Sequence, residues 1–160
     1  MRSPTSCWNP GPAKGLEALP LPSRGDLYFD IEADPYAGPE GLEFLFGFVD
    51  ASGEEITYEA WWAHDPTEEK AMFERFIDLV TQRLARFPDM HVYHYAPYEI
   101  GALRRLMGRH GTREEELDNL LRRQVFVDLY QVVRQSLRIS EESSRSRDSS
   151  RSTWRSGTTG

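Results

Sequence analysis

From Leu27 to Glu32 the chain alternates without a break: Leu27, Phe29 and Ile31 are apolar, while Tyr28, Asp30 and Glu32 are polar or amphipathic. A period of two is that of a half-buried strand, so Asp30 and Glu32 are predicted to share one face. The next segment, GLEFLFGFVD, is apolar on both faces, ASGE supplies a turn, and EITYEAWWA alternates again as far as Trp62. Three strands joined by short loops make an antiparallel meander. The period then changes. Asp65, Pro66 and Glu68 form a helix-start signature, and Met72, Phe73, Phe76, Ile77, Val80 and Leu84 follow at helical spacing. HVYHY reads as a fourth strand, and Pro97 opens a second helix with Leu103, Leu106 and Met107, which stops at the glycine of RHG. Thr112 and Glu115 predict a capping box ahead of Leu117, Leu120 and Leu121. VFVDLY is the fifth strand, and VVRQSL begins a further helix.

Strands in hairpin order followed by helix–strand units predict a mixed five-stranded sheet flanked by helices. A doubly wound nucleotide-binding fold would alternate strand and helix from its start, and no glycine-rich phosphate loop follows the first strand. The order matches the ribonuclease H-like α/β fold. Residues 1–24 are rich in Pro and Gly and read as a linker, 25–139 as the domain, and 140–160, dominated by Ser, Arg and Thr, as a disordered tail.

Composition narrows the function classes. A chain of 160 residues with 39% hydrophobic content supports one domain with a real core. A net charge of −7 argues against a passive, sequence-independent DNA coat, which needs excess Lys and Arg. An acidic protein can still act on nucleic acid if its carboxylates hold cations. The lone Cys7 excludes an internal disulfide framework and any multi-cysteine zinc site. The first residues have no signal-peptide core and no later stretch suits a bilayer, so a cytoplasmic setting is expected.

Two carboxylates side by side in a poorly solvated site repel strongly unless something neutralises them. A divalent cation does so, and magnesium and manganese prefer carboxylate oxygen. The plain alternative is that Asp30 and Glu32 cap a solvated strand end. Glu99, in the first turn of the helix after the fourth strand, is placed to join them; alternatively it complements the helix dipole. His91 and His94, three apart on a strand, point to opposite faces and read as packing or hydrogen-bonding residues. His64 and His110 border helix ends, where capping contacts account for them. Arg104, Arg105, Arg109 and Arg113 form either a solvated face or phosphate contacts. Among the aromatic residues, Tyr36 and Tyr98 lie nearest the site as candidates for stacking on unpaired bases, whereas Trp61, Trp62 and Tyr95 read as core or rim.

DIEADPY, GLEFLFGFV, HVYHYAPYE, LRRLMGRHGTREEELDNLLR and VFVDLYQVVRQSLRISEES together resemble the YprB-type ribonuclease H-like domain, from about Leu16 to Ser143. That domain occurs in RecB-family nucleases and related helicase–nuclease proteins, and is similar to the DEDD 3′-to-5′ exonucleases. The resemblance implies a phosphodiester hydrolase with two magnesium or manganese ions. It assigns Asp30 and Glu32 to the first exonuclease motif and YAPYEIGAL to the second, with Glu99 where most such enzymes have aspartate. Asp128 corresponds to an acid common on the fifth strand, in a supporting rather than ligating role. Implied partners are single-stranded DNA ends and helicase or RecB-like nuclease domains. The family's fourth carboxylate, on a last helix, has no counterpart: after SEES the chain reads SSRSRDSSRSTWRSGTTG, as a shifted reading frame or early stop would produce. Weak or absent activity of the isolated chain is therefore expected. A non-catalytic nucleic-acid-binding or scaffolding module is the alternative.

Overall fold

The computed structural model describes residues 14–53 and 55–137. Three strands open the domain, β1 (Leu27–Asp34), β2 (Leu42–Asp50) and β3 (Thr57–Trp62), followed by helix α1 (Pro66–Arg86) and strand β4 (Val92–His94). Helices α2 (Tyr98–His110) and α3 (Glu114–Arg122), strand β5 (Phe126–Asp128) and helix α4 (Leu129–Ser136) complete it. The sheet order is β3-β2-β1-β4-β5. The meander is antiparallel, whereas β4 runs parallel to both β1 and β5. The mixed five-stranded sheet predicted from the sequence is thus the one found, with β1 at its centre.

One face of the sheet carries the core. Leu27, Phe29, Ile31, Phe46, Phe48 and Val92 pack against the α1 stripe of Met72, Phe73, Phe76, Ile77, Val80 and Leu84 and against Leu103 and Leu106 of α2. Phe76 is central: its ring stacks on Phe29 at 4.0 Å and meets Phe46 edge-on at 5.5 Å. Burying each such side chain contributes about 1.5–3 kcal/mol. The other face has a different character. Tyr28, Asp30, Glu32, Tyr58 and Trp62 are exposed there, so β1 alternates buried and exposed along its length.

Local signals set the helix boundaries. Asp65 caps α1, its Oδ1 accepting from the backbone N–H groups of Thr67 at 2.7 Å and Glu68 at 2.9 Å. Helix α2 ends at Gly111 in the left-handed region at φ 55°, where glycine is least strained. The predicted Thr112–Glu115 capping box does not form: Arg113 is the N-cap of α3, at φ 53°, and Thr112 Oγ1 donates instead to Glu74 Oε1 at 2.6 Å. A carboxylate from α1 outcompetes the local backbone for that hydroxyl. Within the segment read as a linker, Gly15–Ala18 forms a 3-10 turn beside α4, with Gly15 N–H donating to Gln135 Oε1 at 3.1 Å. The predicted tail at 140–160 lies outside the described residues. No described helix is long and apolar enough to cross a membrane.

Candidate active site

Asp30 and Glu32 share a face, as their spacing predicts, and it is the open face of the central strand. They are exposed, not buried together: helices α1 to α3 pack on the opposite side. Asp30 Oδ1 accepts from the N–H of Ile31, at 3.1 Å. Glu32 separates two grooves. One, of about 570 Å3, runs over the outer sheet face past Asp30, Tyr28, Gly47 and Tyr58. The second, of about 730 Å3, is lined by Asp34, Glu43, Tyr98, Arg105 and Arg109.

Glu99 comes from the first turn of α2, which follows directly on β4, the parallel neighbour of β1. It is 3% exposed, and its Oε2 is a buried oxygen without a hydrogen-bond partner among the described residues. Burial raises its pKa above the usual carboxylate range, and the charge of Asp30 adds to this, while nearby His94 works the other way. Between them Ala96 adopts φ 75°, and its N–H donates to Asp128 Oδ1 at 3.1 Å. Asp128 also caps α4 through Tyr130 and Gln131. Its carboxylate is therefore engaged with backbone N–H groups of the β4–α2 turn and of the first turn of α4.

Chemically, these donors are carboxylate oxygens, the type that magnesium and manganese prefer, and the unpartnered oxygen of Glu99 is one that a cation would satisfy. Among the described residues no three His, Cys, Asp or Glu side chains close into one metal-binding group. Asp30 and Glu32 are neighbours and Glu99 feels the charge of Asp30, but the three do not form the tight cluster expected from the sequence.

The remaining predicted residues divide. Tyr98 is half-buried beside Glu32's second groove, under the Arg105 guanidinium at 5.4 Å. Burial, then the charge of Glu43, raises its pKa. Arg105 donates to the buried Glu43 at 2.9 Å yet keeps half its side chain exposed. Tyr36 is 91% exposed in the turn after β1. Arg104 lines a different cleft, with Glu114, Glu115 and Asp118 of α3, and is not brought to the carboxylates.

A buried ion network escaped sequence reasoning. Glu69 of α1 is 0% exposed and accepts from Glu43 N–H at 2.8 Å, Arg109 Nη1 at 2.9 Å and His110 Nε2 at 2.7 Å. Burial alone would raise its pKa, but these three contacts outweigh it and hold the carboxyl below its ordinary value. His110 thus hydrogen-bonds Glu69 across the helix pair instead of capping a helix end, and Arg109 and Arg113 are tied to Glu69 and Asp78. The network ties α2, which delivers Tyr98 and Glu99, to α1 and to the start of β2. Its only sequence signal was an acid at position 69 in line with the apolar stripe.

A protein-family model described as the RNase_H superfamily matches residues 27–146, well over half of the chain. No curated protein and no solved structure matches it.

Proposed function

Because the chain belongs to the RNase H superfamily, whose membership points to nuclease-like processing of nucleic acid, we propose that it is a metal-dependent phosphodiester hydrolase of the 3′-to-5′ exonuclease type, acting on single-stranded DNA ends. The observation that carries this reading is the pair Asp30 and Glu32 on the open face of the central strand, with the unpartnered oxygen of Glu99 close enough for Asp30 to perturb it. Asp30, Glu32 and Glu99 would hold magnesium or manganese. When bound, such ions supply the positive charge that activates an attacking water and stabilises the leaving 3′ oxygen. Tyr98 and Arg105, across the groove from Glu32, provide a ring face and a guanidinium for the incoming strand, and Tyr36 a second ring. Asp128 holds the β4–α2 turn in place through Ala96. The YprB-type resemblance further suggests a helicase or RecB-like nuclease as partner.

The exposure of Asp30 and Glu32, and the absence of a three-carboxylate group among the described residues, favours a second reading, a non-catalytic nucleic-acid-binding module. For the same reason we expect the isolated chain to digest DNA slowly at best. Thermal denaturation with millimolar manganese separates the readings: the metal raises Tm in the wild type and not in Asp30→Ala if the carboxylates form a cation site. Equal stability with and without manganese, together with metal-independent binding of single strands, would establish the module instead.

A further inference from the structure

Gly47 of β2 stands directly opposite Asp30 in the sheet register, on the same open face. Cross-strand Cβ positions of this kind lie about 5 Å apart, so a side chain at Gly47 would fill the space beside the Asp30 carboxylate. Tyr58 of β3 uses that space instead. A Cβ added to Gly47 would lie 2.7 Å from Tyr58 Oη and 3.5 Å from its Cε2 and Cζ. Tyr58 is paired with Val49, two residues along β2, so its ring leans diagonally across the sheet toward Asp30. It does so while 65% exposed.

Backbone conformation does not explain the glycine. Gly15, Gly38, Gly41 and Gly111 have positive φ, and Gly47 does not. A mid-strand glycine with ordinary strand geometry sacrifices packing and chain entropy, and marks a place where another group must come close. Here the group is a phenol hydroxyl, a donor aimed at the edge of a site whose own side chains, Asp30 and Glu32, are acceptors when ionised. A phosphodiester oxygen can accept from that hydroxyl, provided a cation lies between the phosphate and the two carboxylates.

We infer that Tyr58 is a substrate-contacting residue: its hydroxyl donates a hydrogen bond to a phosphate oxygen of the strand bound at Asp30 and Glu32, and Gly47 is the residue that admits it. This rests on the function proposed above and adds a contact from the edge strand. It also separates Tyr58 from a role in orienting Asp30, because only the second role would alter metal binding.

The test uses the full chain, with anisotropy of a fluorescein-labelled oligothymidylate in calcium, and a parallel manganese melting series. Tyr58→Phe, which keeps the ring, raises Kd for the oligonucleotide about five- to tenfold while the manganese-induced rise in Tm is unchanged. Gly47→Ala gives a similar loss, since the flexible end of Tyr58 is what must move. In the double variant the added methyl meets only ring carbons at ordinary contact, so Tyr58→Phe with Gly47→Ala binds no worse than either alone. Unchanged oligonucleotide affinity in Tyr58→Phe, or a reduced manganese shift in its place, overturns the inference. Should the wild type show neither manganese stabilisation nor oligonucleotide binding, the proposed function fails and takes this contact with it.

Discussion

His94 Nδ1 lies 3.4 Å from Glu99 Oε2 but is closer to the Ala96 carbonyl, at 2.7 Å. A carbonyl only accepts, so the Nδ1 proton is committed to it and the Glu99 oxygen stays without a partner among the described residues. In the absence of divalent metal, Glu99→Gln should therefore raise Tm by about 3–5 °C, the equivalent of about 1 kcal/mol in a domain of this size. The same variant should lose the manganese-dependent rise. The sign of the pH dependence follows: with its folded pKa raised above the ordinary 4.5, Glu99 contributes its full stability below that pH and loses it as pH climbs through the raised value. Melting in chelator from pH 4 to 8 checks both, and a Glu99→Gln protein less stable than wild type would contradict them.

At the other end of the meander, Arg83 grips Asp50 through two hydrogen bonds of 2.6 Å, with both groups largely shielded. The guanidinium lowers the Asp50 pKa from 3.8 to about 2. A depressed carboxyl stabilises above its unfolded pKa and loses that contribution as pH falls through the folded one. Asp50→Asn is expected to cost about 2 kcal/mol at pH 7 in urea unfolding. The gap to wild type should close between pH 4 and 2, and a constant gap across that window would show that the charge is irrelevant.

Removing Glu69 leaves Arg109 and His110 facing a buried void. Glu69→Ala should cost about 3–5 kcal/mol, the range for breaking a buried ion pair by removing one partner. Hydrogen exchange should accelerate most in α2, which the network anchors. A loss below about 1 kcal/mol would mean that Arg109 finds adequate partners in Glu40 and Glu43, both already within reach.

Adjacent arginines on α2 should behave differently. Arg105 lines the groove beside Glu32, while Arg104 faces the acidic cleft of α3. Arg105→Ala is expected to weaken single-strand binding several-fold and reduce its salt dependence, and Arg104→Ala to leave both unchanged. Fluorescence anisotropy at two salt concentrations measures this; equal losses would mean that the strand spans both clefts.

What the sequence revealed was whatever one element encodes by itself. The β1 alternation, the α1 stripe and the Asp65 cap are periodic or local signals, and each appears in the structure. Contacts between distant segments were illegible. Glu69 meets Glu43 and His110 across 26 and 41 residues, and no local pattern announces such pairs. Thr112 and Glu115 had the right spacing for a capping box, but Glu74 of α1 took the hydroxyl. Spacing put Asp30 and Glu32 on one face, yet whether a face is open or covered depends on what the rest of the chain packs against it, and that is not written in β1.

The central position of β1 has a consequence for errors in folding. Because its two flanks are held by strands of opposite direction, a slip of one residue would turn Asp30 and Glu32 inward onto the ring of Phe76 and expel Phe29 and Ile31 into water. Misregistered molecules would thus be selected against by their own aromatic centre, and the outward presentation of both acids is inherited by every chain that reaches the native state.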